Sequence, residues 1–153
     1  MTQYLCPSPN DPPEPTKDRL GYIRKFGVIA PSTNTIVQPE FAMMEVPGVT
    51  SHYSRIHIRD QRMSTDEEME YLLVQIRDEL ASCVERLMTL EPDYMVMGMS
   101  AETFWDGVEG NRRFVKQIQD LSGGLGVATG AESCERALQL FGAKKISVLT
   151  PYA

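Results

Sequence analysis

The chain has 153 residues, 42% of them apolar, which suffices for the core of one compact domain and gives no reason to expect two independent ones. Its net charge of −6 comes from acids spread along amphipathic stretches, and no run of lysine and arginine forms a phosphate-tracking stripe, so nucleic acid is not expected as a partner. No apolar run approaches the roughly 20 residues that span a bilayer, and the N-terminus lacks the basic start and apolar stretch of a secretory signal, so no membrane partner is expected either.

Residues 1–20 are proline-rich and lack apolar periodicity, which predicts a flexible tail carrying an incidental Cys6. From Tyr22 onward, short apolar runs alternate with amphipathic stretches, the pattern of a parallel sheet flanked by helices, and residues 21–153 are expected to form one α/β lobe. A first strand over 26–30 is apolar on both faces and stops at Pro31, with a helix beginning near Asn34 or Thr35. A second strand over 49–58 alternates more, as an edge strand does.

Ser64-Thr65-Asp66-Glu67 is a capping box opening a long helix, whose apolar positions Met69, Leu72, Leu73, Ile76, Leu80, Val84 and Leu87 recur at three and four. Pro92 stops it, and 94–98 is a central third strand. A helix over 111–121, a short strand over 126–128 and a helix over 131–141 ended by Gly142 follow. A fifth strand is expected over 145–150, leading into Pro151 and Tyr152. A strand-end loop ordinarily leads into another helix, so the end at Ala153 points to a truncated sequence.

Ligands of open α/β sheets sit beyond the C-terminal ends of the strands, where three polar loops fall in this chain. Pro31-Ser32-Thr33-Asn34 offers two hydroxyls, an amide and free backbone N–H groups at a helix start, which suit a carboxylate without a metal. The same residue types are favoured as N-caps, and local sequence leaves both roles open. After the third strand, Gly98 allows close backbone approach, with Met99 beside it, and Ser100 adds a hydroxyl. The alternative there is a tight turn that packs Phe104 and Trp105 into a core. In the third loop, the Tyr152 phenol could aim at the same anion.

Other candidates carry less. Cys6, Cys83 and Cys134 have wide, unrelated spacings that give neither a disulfide framework nor a metal knuckle, which fits a reducing, cytoplasmic setting. Cys134 follows the fourth strand near a helix start, where the dipole favours a thiolate, but an ordinary buried thiol is the simpler expectation. Cys83 shares the apolar face of the long helix with Leu80, Val84 and Leu87. His52 and His57 fall on opposite faces of the second strand, so they form no joint metal site. Gly123-Gly124-Leu125-Gly126 precedes its strand, whereas a dinucleotide fingerprint follows one.

Taken in order, with the ending Gly-Ala-Lys-Lys-Ile-Ser-Val-Leu-Thr-Pro-Tyr, the three loops resemble the maleate cis-trans isomerase and arylmalonate decarboxylase branch of the Asp/Glu racemase superfamily, over residues 22–153. The resemblance implies a Rossmann-like parallel sheet flanked by helices, as the first lobe of a pseudo-symmetric two-lobe fold that works without a cofactor or metal. It implies a small dicarboxylate as substrate, and together with the strand-end loops the expected substrate-binding residues are Ser32, Thr33, Asn34, Gly98, Met99, Ser100 and Tyr152. Asn34 would contact a carboxylate, Tyr152 would join it, and Ser100 matches a hydroxyl of the decarboxylase branch.

Isomerases and racemases of the superfamily place a cysteine after the central strand of each lobe, and here that point reads Met97-Gly98-Met99-Ser100. The catalytic cysteine is therefore expected beyond Ala153, in a second lobe, as in the decarboxylase. Maleate isomerase-like chemistry is the leading expectation, with arylmalonate decarboxylase-like chemistry and a non-catalytic carboxylate-binding protein or inactive fragment as alternatives. Family members associate, which makes a homodimer the expected partner state of the full protein.

Overall fold

A computed structural model of the chain describes residues 18–59, 61–62 and 64–149. The expected tail falls almost wholly outside them, as do Thr150, Pro151 and Tyr152. Four parallel strands, β1 (Arg24–Pro31), β2 (Val49–Ile56), β3 (Tyr94–Met97) and β4 (Val127–Ala128), form one sheet in the order β2-β1-β3-β4. The helices are α1 (Val37–Met43), α2 (Asp66–Met88), α3 (Ala101–Phe104), α4 (Gly107–Leu121) and α5 (Gly130–Leu140).

β1 pairs on both sides, and the continuous apolar run in its sequence is explained by Val28, Ile29 and Ala30 being fully buried. β2 lies at the sheet edge, as its alternation predicted. α2 packs against β1, β2 and α4, and its buried stripe of Leu72, Leu73, Ile76, Leu80, Cys83, Val84 and Leu87 follows the predicted helical spacing, with Met69 packed partly buried at its start. These side chains join Ile29, Ile56, Met95, Phe114 and Ile118 in one core.

Several local expectations need correcting. The reciprocal cap of α2 is set one residue later than Ser64–Glu67: Thr65 Oγ1 accepts from Glu68 N, and Glu68 Oε2 accepts from Ser64 N at 2.6 Å. His57 lies beyond the last residue of β2. The loop after β3 winds into the short helix α3 at once, and α4 begins at Gly107, four residues earlier than predicted. The turn between them is made by Asp106 and Gly107, both left-handed at φ of 57° and 61°.

No strand forms over 145–149, where Ile146, Val148 and Leu149 are exposed. β4 has only two residues and gives a further strand too short a ladder to pair with. α5 is capped by Thr129 and followed, after its C-cap Phe141, by the left-handed Gly142 expected to stop it, but buries none of its own side chains. No helix among the described residues is long and apolar enough to cross a membrane.

Candidate functional site

From β1 the chain passes to β2 on one side of the sheet, and from β3 to β4 on the other. The crevice between the C-terminal ends of β1 and β3 is therefore the topological switch point, where the outgoing loops diverge and leave space for a ligand. A cavity of about 610 Å³ lies there. Pro31, Thr33 and Asn34 line it from the β1 loop, Met97, Gly98, Met99, Ser100 and Ala101 from the β3 end, and Gly130 from the start of α5. Its volume falls in the range of roughly 300–1,000 Å³ typical of small-molecule sites.

Of the two roles left open for Asn34, the structure shows the one at the helix start. Oδ1 accepts from the backbone N–H groups of Ile36 and Val37, each at 2.9 Å, and so caps the entry to α1. With Oδ1 committed, the Nδ2 group is the part of the amide left to donate to a ligand. Ser32 is used differently and does not line the cavity: its hydroxyl accepts from Ile58 N at 2.9 Å and ties the β1 loop to the chain leaving β2. Arg55 reinforces that tie by donating to the carbonyls of Pro31 and Asn34.

Gly98 is where the two loops come closest. Its N–H donates to Ile29 O at 2.7 Å, extending the β1–β3 ladder by one bond. A Cβ on Gly98 would lie 2.9 Å from Val37 Cγ1 and 3.1 Å from that same carbonyl oxygen, so any larger residue would have to push Val37 and the β1 backbone aside. Met99 is partly buried against the core, and the Ser100 carbonyl accepts the N–H groups of Thr103 and Phe104 as α3 begins. Of the predicted site residues, Thr33, Asn34, Gly98, Met99 and Ser100 thus meet in one cavity, Ser32 stands behind it, and Tyr152 lies outside the described residues. Phe104 and Trp105 split between the alternatives, Phe104 being half exposed and Trp105 packed against the core.

Two features were not foreseen. The cavity is also lined by Ile58, Arg59 and Gln61 from the loop after β2, and Gln61 is bonded to Gln75, a polar residue on the buried stripe of α2. The other is Glu102, only 5% exposed, whose Oε1 accepts from Arg77 Nε at 2.8 Å while Oε2 has no partner among the described residues. This pair ties α3, directly after Ser100, to α2.

Burial raises the Glu102 carboxyl above its ordinary 4.5, outweighing the opposing hydrogen bond and charge of Arg77. The folded chain then binds this proton more tightly than the unfolded one. The stability it contributes is complete below pH 4.5 and declines as pH rises through the raised folded value. Glu102→Gln is expected to remove that decline. Urea midpoints of parent and variant from about pH 4 to 7 should show the variant gaining relative to the parent as pH rises, and a relative loss would contradict the assignment.

Cys83 is buried, as predicted, but Cys134 is exposed on α5, contrary to the expectation of a buried thiol. Neither cysteine lines the cavity. Among the described residues no group of three or more His, Cys, Asp or Glu side chains could hold a metal ion.

Fold and cavity together define a doubly wound α/β lobe with a ligand crevice at its switch point. No protein-family model matches the chain, and no curated protein does at the level of sequence. Solved structures do match in fold. The maleate cis-trans isomerase of Nocardia farcinica bound to TRIS aligns with a TM-score of 0.68 at 17% identity, over 86% of this chain and 54% of that one. A cysteine-to-alanine variant of the maleate isomerase Iso of Pseudomonas putida S16, with maleate, aligns at 0.65 and 21% identity, over 85% of this chain and 54% of that one. A doubly substituted arylmalonate decarboxylase in its liganded form aligns at 0.57 and 15% identity, over 78% and 47%.

The chain therefore has the fold anticipated from its loops, that of the maleate isomerase and arylmalonate decarboxylase branch. It spans about half the length of the structures it matches, as one lobe of a two-lobe fold does.

Proposed function

We propose that this chain is the substrate-holding lobe of a maleate cis-trans isomerase-like enzyme, which binds a small dicarboxylate without a cofactor. The observation that carries the proposal is Asn34: its capped Oδ1 fixes the amide and turns Nδ2 into the donor end, beside a cavity lined by Thr33, Ser100 and backbone of the Gly98 turn. Neutral donors held rigidly by a strand end and a helix start bind a carboxylate and stabilise charge that builds up on it during reaction.

In the isomerase reaction, a cysteine thiolate supplied by a second lobe adds to one alkene carbon of a cis-enedioate. A C–S bond forms, and the alkene electron pair moves onto the neighbouring carboxylate as an enediolate. The former double bond is then single and rotates, and expulsion of the thiolate restores the alkene as the trans isomer. Tyr152 is assigned to the same carboxylate. A second reading is favoured by Gly98, which stands where the isomerases resembled carry a cysteine: loss of carbon dioxide from a substituted malonate, with the enediolate held in the same donors and protonated by the second-lobe thiol. Fumarate appearing in proton NMR spectra of maleate incubated with the full-length protein supports the first, and a new monoacid from the malonate supports the second.

The lobe itself is tested through Asn34→Asp. Aspartate caps a helix as well as asparagine does, so the unfolding free energy is expected to change by less than about 0.5 kcal/mol. The Nδ2 donor is replaced by a like charge, and maleate affinity measured by NMR titration is expected to fall about tenfold or more. Unchanged affinity would rule out Asn34 as a carboxylate ligand.

A further inference from the structure

We infer that Arg59 determines specificity at this site by gripping the second carboxylate, so that the cavity selects dianionic diacids over monoacids. The inference rests on the carboxylate-binding reading above and deepens it.

Arg59 is the one charged side chain lining the cavity among the described residues. Its polar neighbours there, Thr33, Asn34, Gln61 and Ser100, are neutral, and no acid among the described residues shares the lining. In a chain of net charge −6, a cation lining a cavity whose other described lining residues are neutral draws the local potential toward anions.

Its placement is built by the fold. Arg59 N donates to Gln75 Oε1 at 3.0 Å, Gln75 Nε2 donates to Gln61 Oε1 at 2.8 Å, and Gln61 Nε2 donates to Glu68 O at 3.0 Å. This relay of two amides fixes positions 59 and 61 against the first half of α2. A glutamine on a buried helix stripe costs desolvation unless its groups are bonded, and Gln75 spends both ends of its amide on this loop. The guanidinium donates once, to Tyr71 OH at 3.4 Å, and makes no ion pair among the described residues. Most of its five donors are left for a ligand, in the planar fork that takes a carboxylate through two parallel bonds.

The position is also right for a second carboxylate. Arg59 follows β2, whereas Asn34 follows β1 and Ser100 follows β3. Neighbouring strands lie about 4.8 Å apart, so the cation approaches from the side of the cavity opposite the β3 turn. A ligand held by Asn34 and the β3 turn at one end meets Arg59 at the other, as a short diacid requires.

The test is an NMR titration of the protein, and of Arg59→Gln and Arg59→Lys, with maleate and with isocrotonate, the monoacid in which a methyl replaces one carboxylate. The parent is expected to prefer maleate about tenfold or more. Arg59→Gln should cost maleate much more affinity than it costs isocrotonate and so abolish the preference, and Arg59→Lys should keep part of it. Equal binding of both acids by the parent, or a preference that survives in Arg59→Gln, overturns the role of Arg59 and leaves the carboxylate pocket standing. Binding of neither acid by the parent overturns both. Arg59 is exposed, so the variants should fold as the parent does, which matching urea midpoints verify.

Discussion

Ile76→Ala is expected to lower the unfolding free energy by about 2–5 kcal/mol. Ile76 is 0% exposed at the middle of α2, within the single core that joins this helix to β1, β2, β3 and α4. Truncation removes apolar carbons and leaves a void bounded by a sheet on one side and helices on the other, neither of which can collapse freely. A domain of this size has a total stability of only about 5–15 kcal/mol, so the loss is a large fraction of it. Val74, two residues away and 47% exposed, is the internal control: Val74→Ala should change stability by no more than about 0.5 kcal/mol. Urea unfolding should show a lower midpoint at unchanged slope for Ile76→Ala, and near coincidence with the parent for Val74→Ala. Equal effects at the two positions would contradict the burial pattern.

The consequences reach the cavity, because α2 presents Leu72 to its lining and Gln75 to the loop carrying Arg59. This helix was legible from sequence because its information is local: the apolar spacing states which face is buried, and Thr65 with the acids after it states where the helix starts. β1 was legible for the same reason, a continuous apolar run ended by a proline. Glu67 and Glu68 are equally plausible partners by composition, and only the helix phase decides for Glu68.

What could not be read depends on residues distant in sequence. Arg59 meets Gln75 across 16 positions and Arg77 meets Glu102 across 25, and no periodicity encodes either contact. A signal did exist in Gln75, a polar side chain between Leu72, Leu73 and Ile76 on the apolar stripe, since such a residue needs a bonded partner. The expected fifth strand shows the opposite case. Residues 145–149 have suitable composition, but a strand is defined by its neighbour, and β4 offers only two residues to pair with. The loops behaved differently again: Asn34, Gly98 and Ser100 were singled out by their places at strand ends, with resemblance adding roles for Asn34 and Ser100, and the structure brings them to one cavity because the strand order makes β1 and β3 neighbours.

Gly98→Ala should be damaging to both fold and ligand binding, and the reason is space. The new Cβ would lie 2.9 Å from Val37 Cγ1, 3.1 Å from Ile29 O and 3.2 Å from Val28 Cγ1. Val37 can rotate or shift with the short helix α1, but Ile29 O accepts the N–H of Gly98 itself and is fixed inside β1. Relief must therefore part the ends of β1 and β3 at the switch point, at a cost of about 1–3 kcal/mol for overpacking. The same movement separates Asn34 from Ser100, so maleate affinity is expected to fall about tenfold or more. Gly130 lines the same cavity, yet a Cβ there would have only ordinary contacts, the nearest Phe104 Cε2 and Thr103 Oγ1, both at 3.8 Å. Gly130→Ala should keep stability within about 1 kcal/mol of the parent. Urea midpoints and maleate titrations on the two variants check the contrast. A Gly98→Ala protein that unfolds and binds as the parent does would show that the close approach of β1 and β3 does not shape the site, and the carboxylate grip would then have to reside in the loops alone.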